Sequence, residues 1–84
     1  MIDVKIIKSI FVSHNIHKII FIEEKSSLTF VICSMENEIS SEKWENLENI
    51  LKYHTKKEIT LLSYPQVLKY LGKDFLSKGV MIDA

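Results

Sequence analysis

No glycine stands anywhere ahead of Gly72, and the only other one is Gly79. A loop that cradles a phosphate needs glycines where the backbone turns tightly and approaches the ligand, so glycine-rich nucleotide loops are excluded from most of the chain. Pro65 is the only proline. Cys33 is the only cysteine, which rules out an internal disulfide. Small secreted domains ordinarily carry several bridges, so a reducing, cytoplasmic setting is expected. A surplus of one charge is missing too: eleven basic and eleven acidic residues cancel. Counterion-driven nucleic-acid binding needs a basic excess, and none is present. No apolar run reaches the roughly 20 residues of a membrane span. The apolar start (Ile6, Ile7, Ile10, Phe11, Val12) is interrupted by Asp3, Lys5 and Lys8 and lacks a small-residue cleavage site, which argues against a signal peptide.

What is present is the composition of a folded module. The 84 residues are 46% hydrophobic and 26% charged, far from the corner where chains stay disordered. This length holds one core, so residues 1–84 are read as a single domain. A domain this small buries only about 60% of its unfolded surface, leaves some apolar residues outside, and gains from association.

Ile2, Ile6, Ile7, Ile10 and Phe11 recur at steps of three and four, which predicts a first helix over residues 2–13 with Asn15 as its left-handed stop. Ile19 to Ile22 is β-branched and too short for a helix, so it reads as an interior strand, apolar on both faces. A polar break at 23–27 separates it from Leu28 to Cys33, and the pair reads as a hairpin. Ser40 or Ser41 caps a second helix over 41–54, with Glu42 in its first turn and Trp44, Leu47, Ile50, Leu51 and His54 on one face. Ile59 to Leu62 follows as a strand, and strand, helix and strand in succession imply a parallel crossover. Ser63 and Pro65 open a short helix that Gly72 stops; Lys73 to Lys78 adds a helical turn ending at Gly79, and Val80 to Ile82 can add a final strand. The fold class is therefore α/β: a small mixed sheet with helices packed on it, in the order α-β-β-α-β-α-α with a possible short last strand. The expected core is Ile6, Ile10, Ile20, Ile22, Phe30, Ile32, Trp44, Leu47, Leu51, Ile59, Leu61 and Leu71.

Site chemistry is sparse. His14 and His17 straddle a helix end, and neither His54 nor Cys33 has a second ligand at zinc spacing, so no metal and no cofactor are expected. Cys33 lies in an apolar strand, which favours the inert thiol over a nucleophile. Glu23 and Glu24 sit in a turn, where adjacent carboxylates are ordinarily solvated. Lys52, Tyr53, His54, Lys56 and Lys57 form a positive patch at a helix C-terminus, where the dipole alone accounts for the lysines.

The segment Glu58-Ile59-Thr60-Leu61-Leu62-Ser63, with Val67 to Ile82 after it, resembles the end of the minimal nucleotidyltransferase domain of the DNA polymerase beta superfamily. The order of elements before it is similar as well. The resemblance implies a nucleotide site built on a Gly-Ser pair after the first strand, an Asp-x-Asp pair on the second, and a third Asp after the crossover helix, together holding two magnesium ions. This chain departs at every one of these points. Its first strand ends in Ile22-Glu23-Glu24, the family's intervening helix is reduced to a turn, Ser27 and Thr29 stand where the paired carboxylates belong, and Thr60 stands at the third. Neutral hydroxyls cannot neutralise two divalent ions. The expectation is thus a non-catalytic interaction or regulatory module resembling an inactive nucleotidyltransferase domain, with another protein chain or a second copy of itself as partner. Tyr53, Tyr64, Tyr70 and Phe75 are its candidate binding residues, since they lie near helix ends or off the main stripes. The other reading is a small ligand-binding domain or enzyme whose site draws on Glu23, Glu24, His17 and His54.

Overall fold

Asp3 opens the first helix: its carboxylate accepts the Lys5 and Ile6 backbone N–H groups at 3.0 and 3.4 Å. In this computed structural model, which describes residues 3–35 and 40–83, the helix α1 runs Val4–Ser13. Ile2, assigned to this helix from the sequence, lies outside the described residues. The helix ends where Asn15 takes φ 60°, the left-handed stop its amide tolerates. The strand β1 (Ile16–Glu23) then pairs antiparallel with β2 (Ser27–Met35) across a three-residue turn.

Ser40 caps α2 (Ser41–Thr55) by accepting from the Lys43 N–H. The strand β3 (Glu58–Ser63) lies parallel to β2, as the crossover reading requires. Ser63 and Gln66 form a reciprocal capping box that starts α3 (Tyr64–Tyr70). The chain turns at Gly72, where φ is 81° and glycine alone is unstrained. A single turn, α4 (Lys73–Leu76), leads into β4 (Val80–Asp83), which pairs antiparallel with β1. The sheet order is β3-β2-β1-β4, so β1 is interior, as its two apolar faces predict.

Strand alternation sorts the core into two layers. On one face Ile19, Leu28, Phe30, Ile32, Ile59, Leu61 and Ile82 meet Ile7, Ile10 and Phe11 of α1 and Leu47 and Leu51 of α2. Phe11 and Phe30 pack with ring centres 5.3 Å apart. On the opposite face Ile20 and Val31 pack against Val67 of α3, with Cys33, Leu62, Tyr64, Phe75 and Leu76 around them. Helices therefore cover both faces.

Three core assignments are corrected. Ile6 is exposed, because the buried stripe of α1 runs through Ile7, Ile10 and Phe11 and leaves Ile6 at its margin. Leu71 is exposed because α3 stops at Tyr70, and Val67, one turn earlier, is the residue it buries. Trp44 is half-buried: it packs on the core from the first turn of α2 without entering it.

Candidate functional site

The parallel register of β2 and β3 sets Thr29 directly opposite Thr60, and Ser27 opposite Glu58. Ser27 and Thr29 lie two residues apart on one strand, so they share a face, and Thr29 and Thr60 take the parity of Val31 and Leu62 beneath α3. The three positions singled out from the sequence thus form one cluster at the start of two adjacent strands. Thr29 is buried, Ser27 is half-buried and Thr60 is exposed. A row of three hydroxyls can donate and accept hydrogen bonds; it supplies no charge to a divalent ion. Carboxylates at this end of the sheet are engaged elsewhere. Glu23 receives the Lys57 amine at 3.1 Å, and Glu58 stands 3.8 Å from the Lys52 amine. Among the described residues no group of three or more His, Cys, Asp or Glu side chains could hold a metal ion.

The constellation considered for a ligand-binding alternative is not gathered. His17 and Glu23 lie at opposite ends of β1, roughly 20 Å apart at the rise of a strand. His54 is exposed in the last turn of α2, its ring roughly perpendicular to that of Tyr53 with 5.3 Å between centres. His14 caps α1 and lies within hydrogen-bonding distance of the Ile10 carbonyl through Nδ1, at 2.9 Å. Cys33 is partly buried, and that burial pushes its thiol up from the ordinary value of 9.0, against a smaller lowering from the Lys18 ammonium. This is a protected thiol, not an activated one.

The four candidate binding residues divide. Tyr53 and Tyr70 are 70% and 73% exposed, each with a lysine amine over its ring, Lys56 at 4.8 Å and Lys69 at 5.3 Å. Tyr64 and Phe75 are half-buried and finish the core layer around Ile20, Val31 and Val67. The short α3 and α4 pack on the sheet by few residues, and these two rings are among them.

A second feature was legible only in part. An open cleft of about 590 Å³ lies at the C-terminal end of α2, lined by Ser26, Asn49, Lys52, Tyr53, Lys56, Lys57 and Glu58. The positive patch named from the sequence supplies four of these residues. Asn49, Lys52, Tyr53 and Lys56 recur at helical spacing and could have been grouped from that pattern; Ser26 arrives only through the hairpin turn. Lys56 itself ends α2 in the left-handed conformation, φ 60° and ψ 25°.

Compared with protein-family models, with curated proteins and with solved structures, the chain matches none. No helix among the described residues is long and apolar enough to cross a membrane.

Proposed function

We propose that this chain is a non-catalytic protein-interaction module, built on the plan of an inactive nucleotidyltransferase domain and working in the cytoplasm. The observation that carries the reading is the register of β2 and β3. It brings Ser27, Thr29 and Thr60 together, the positions where the resemblance requires three carboxylates, and all three are neutral. Such a cluster lacks the charge to bind two magnesium ions and the triphosphate they would carry. The partly buried, high-pKa thiol of Cys33 fits a reducing compartment.

The two exposed tyrosines support the interaction half of the reading. A ring held in water beside a lysine adds little to the fold, and tyrosine supplies large, rigid contact area where proteins meet. The partner is another protein chain or a second copy of this one. The test is transfer of label from ATP labelled on its α-phosphate, with magnesium and cytoplasmic extract. No labelled protein or nucleic acid should depend on this chain. Label transfer that requires the chain, and is lost when Thr29 and Thr60 are replaced by Val, would overturn the proposal.

A further inference from the structure

The cleft at the end of α2 has features that the fold alone does not require. Asn49, Lys52, Tyr53 and Lys56 follow one another at i, i+3, i+4 and i+7, so they line one flank of the helix while Leu47 and Leu51 enter the core on the other. The chain as a whole is neutral, yet this lining holds three lysines and one carboxylate. The Lys52 and Glu58 side chains are 57% and 77% exposed and 3.8 Å apart, a spacing at which the pair exchanges readily with another anion. Lys57 is better fixed, by the Glu23 carboxylate and the Glu24 carbonyl, so its charge is met within the fold and Lys52 and Lys56 are the cations left open to a partner.

The helix dipole favours a cation at Lys56 without requiring one there. Lys52 and His54 already occupy the last turn, where a cation opposes the dipole. Lys56 comes after that turn, in a backbone conformation that glycine takes freely and a side chain takes at a cost. What the lysine adds is an amine at the mouth of the cleft, above the exposed ring of Tyr53.

We infer that this cleft binds an acidic segment of a partner protein, its carboxylates meeting Lys52 and Lys56 and its backbone crossing Tyr53. The inference rests on the interaction reading above and names the chemistry of the partner. Charge complementarity selects an anion, and the cleft is open and about 590 Å³, with lining from α2, the hairpin turn and β3, which gives a chain segment room to lie across it. The sequence holds no arginine, so an anion here is met by lysine point charges and not by a two-pronged guanidinium clasp. Ser26, Asn49 and Glu58 supply the mixed donors and acceptors that a peptide backbone can use.

The experiment is a backbone-amide NMR titration of the whole protein with blocked hexaglutamate, and separately with blocked hexaglutamine, inorganic phosphate and magnesium-ATP. Hexaglutamate should shift the amides of Ser26 and of residues 49–58. These shifts should fade at about 0.5 M salt, where screening reaches within a few Å. Lys56→Gly, which keeps the left-handed turn while removing the amine, should weaken binding roughly threefold or more. Equal shifts from hexaglutamine or from phosphate, or undiminished binding by Lys56→Gly, would overturn the assignment. Magnesium-ATP reports on the other reading: shifts at Ser27, Thr29 and Thr60 would count against the non-catalytic proposal and leave the cleft standing. Silence from hexaglutamate would remove the cleft and leave that proposal intact.

Discussion

Replacing Gly79 by alanine tests how the second face of the sheet is closed. Gly79 ends the 72–79 segment against β1, and its backbone φ is one that alanine can adopt. On conformational entropy alone the substitution would stabilise by about 0.4–1 kcal/mol, by narrowing the unfolded ensemble. Space decides the other way. A β-carbon there would overlap Cγ2 of Ile20 and would sit 3.0 Å from both Cγ1 of Ile22 and the Phe21 carbonyl oxygen. Ile20 and Ile22 are buried and cannot swing aside, and the carbonyl belongs to a paired strand. The segment must lift, at the 1–3 kcal/mol typical of an overpacked core. The net expectation is a loss of about 1–2 kcal/mol, which lowers the melting temperature by roughly 5–15 °C in a domain of this size. Thermal melts and urea denaturation followed by circular dichroism measure it, and an unchanged urea slope would show that the folded state was the one affected. Gly72→Ala is the control: open space surrounds it but φ is 81°, so its cost comes from the backbone alone and the Ile20 and Ile22 methyl resonances stay in place. A Gly79→Ala protein as stable as the parent, or more so, would refute the packing of α4 and its following turn onto β1.

Other consequences are simpler. Lys56→Gly relieves a left-handed side-chain conformation worth about 1–2 kcal/mol and gives up an exposed cation–π contact worth about 0.5–1 kcal/mol, so the melting temperature should rise slightly; a fall would contradict the strain assigned to this position. Trp44→Ala should cost about 1.5–3 kcal/mol, short of the 3–5 kcal/mol of a fully buried aromatic, because the ring covers the core from outside; urea midpoints decide between the two. The raised Cys33 thiol makes stability depend on pH in one direction. Its protonated form is favoured by folding, so that contribution is complete below the ordinary value of 9.0 and is lost as pH climbs through the raised native value. Above pH 9 the native protein should therefore lose stability more steeply than Cys33→Ser, and parallel profiles would remove the burial argument.

Much of the fold was readable in residue order because each boundary carries its own chemistry. Asn15, Ser40 and Ser63 mark ends that hydrogen bonds then satisfy. The two-sided apolar run Ile19 to Ile22 placed β1 inside the sheet before any pairing was known. What the pattern could not supply was rotation and reach. Ile6 and Ile7 fit a helical stripe about equally well, and only docking on the sheet chose Ile7. Lys56 carries no signal for positive φ, since lysine is an ordinary residue that the crossover forces into a glycine's role. At the candidate site, the positions of Ser27, Thr29 and Thr60 came from the resemblance, while their convergence depends on a parallel register that no local pattern encodes. The cleft joins Ser26 to α2 across the hairpin, a contact between residues more than twenty positions apart, so its lysines read as a solvated helix end until the turn was brought beside them.

The central claim is that Ser27, Thr29 and Thr60 form a site without the charge for nucleotidyl-transfer metals, and the most direct measurement is a magnesium titration of the native protein read at those three amides. The account predicts no saturable shift at Ser27, Thr29 or Thr60 at millimolar magnesium, with or without ATP. Saturable shifts centred on these three residues would contradict it.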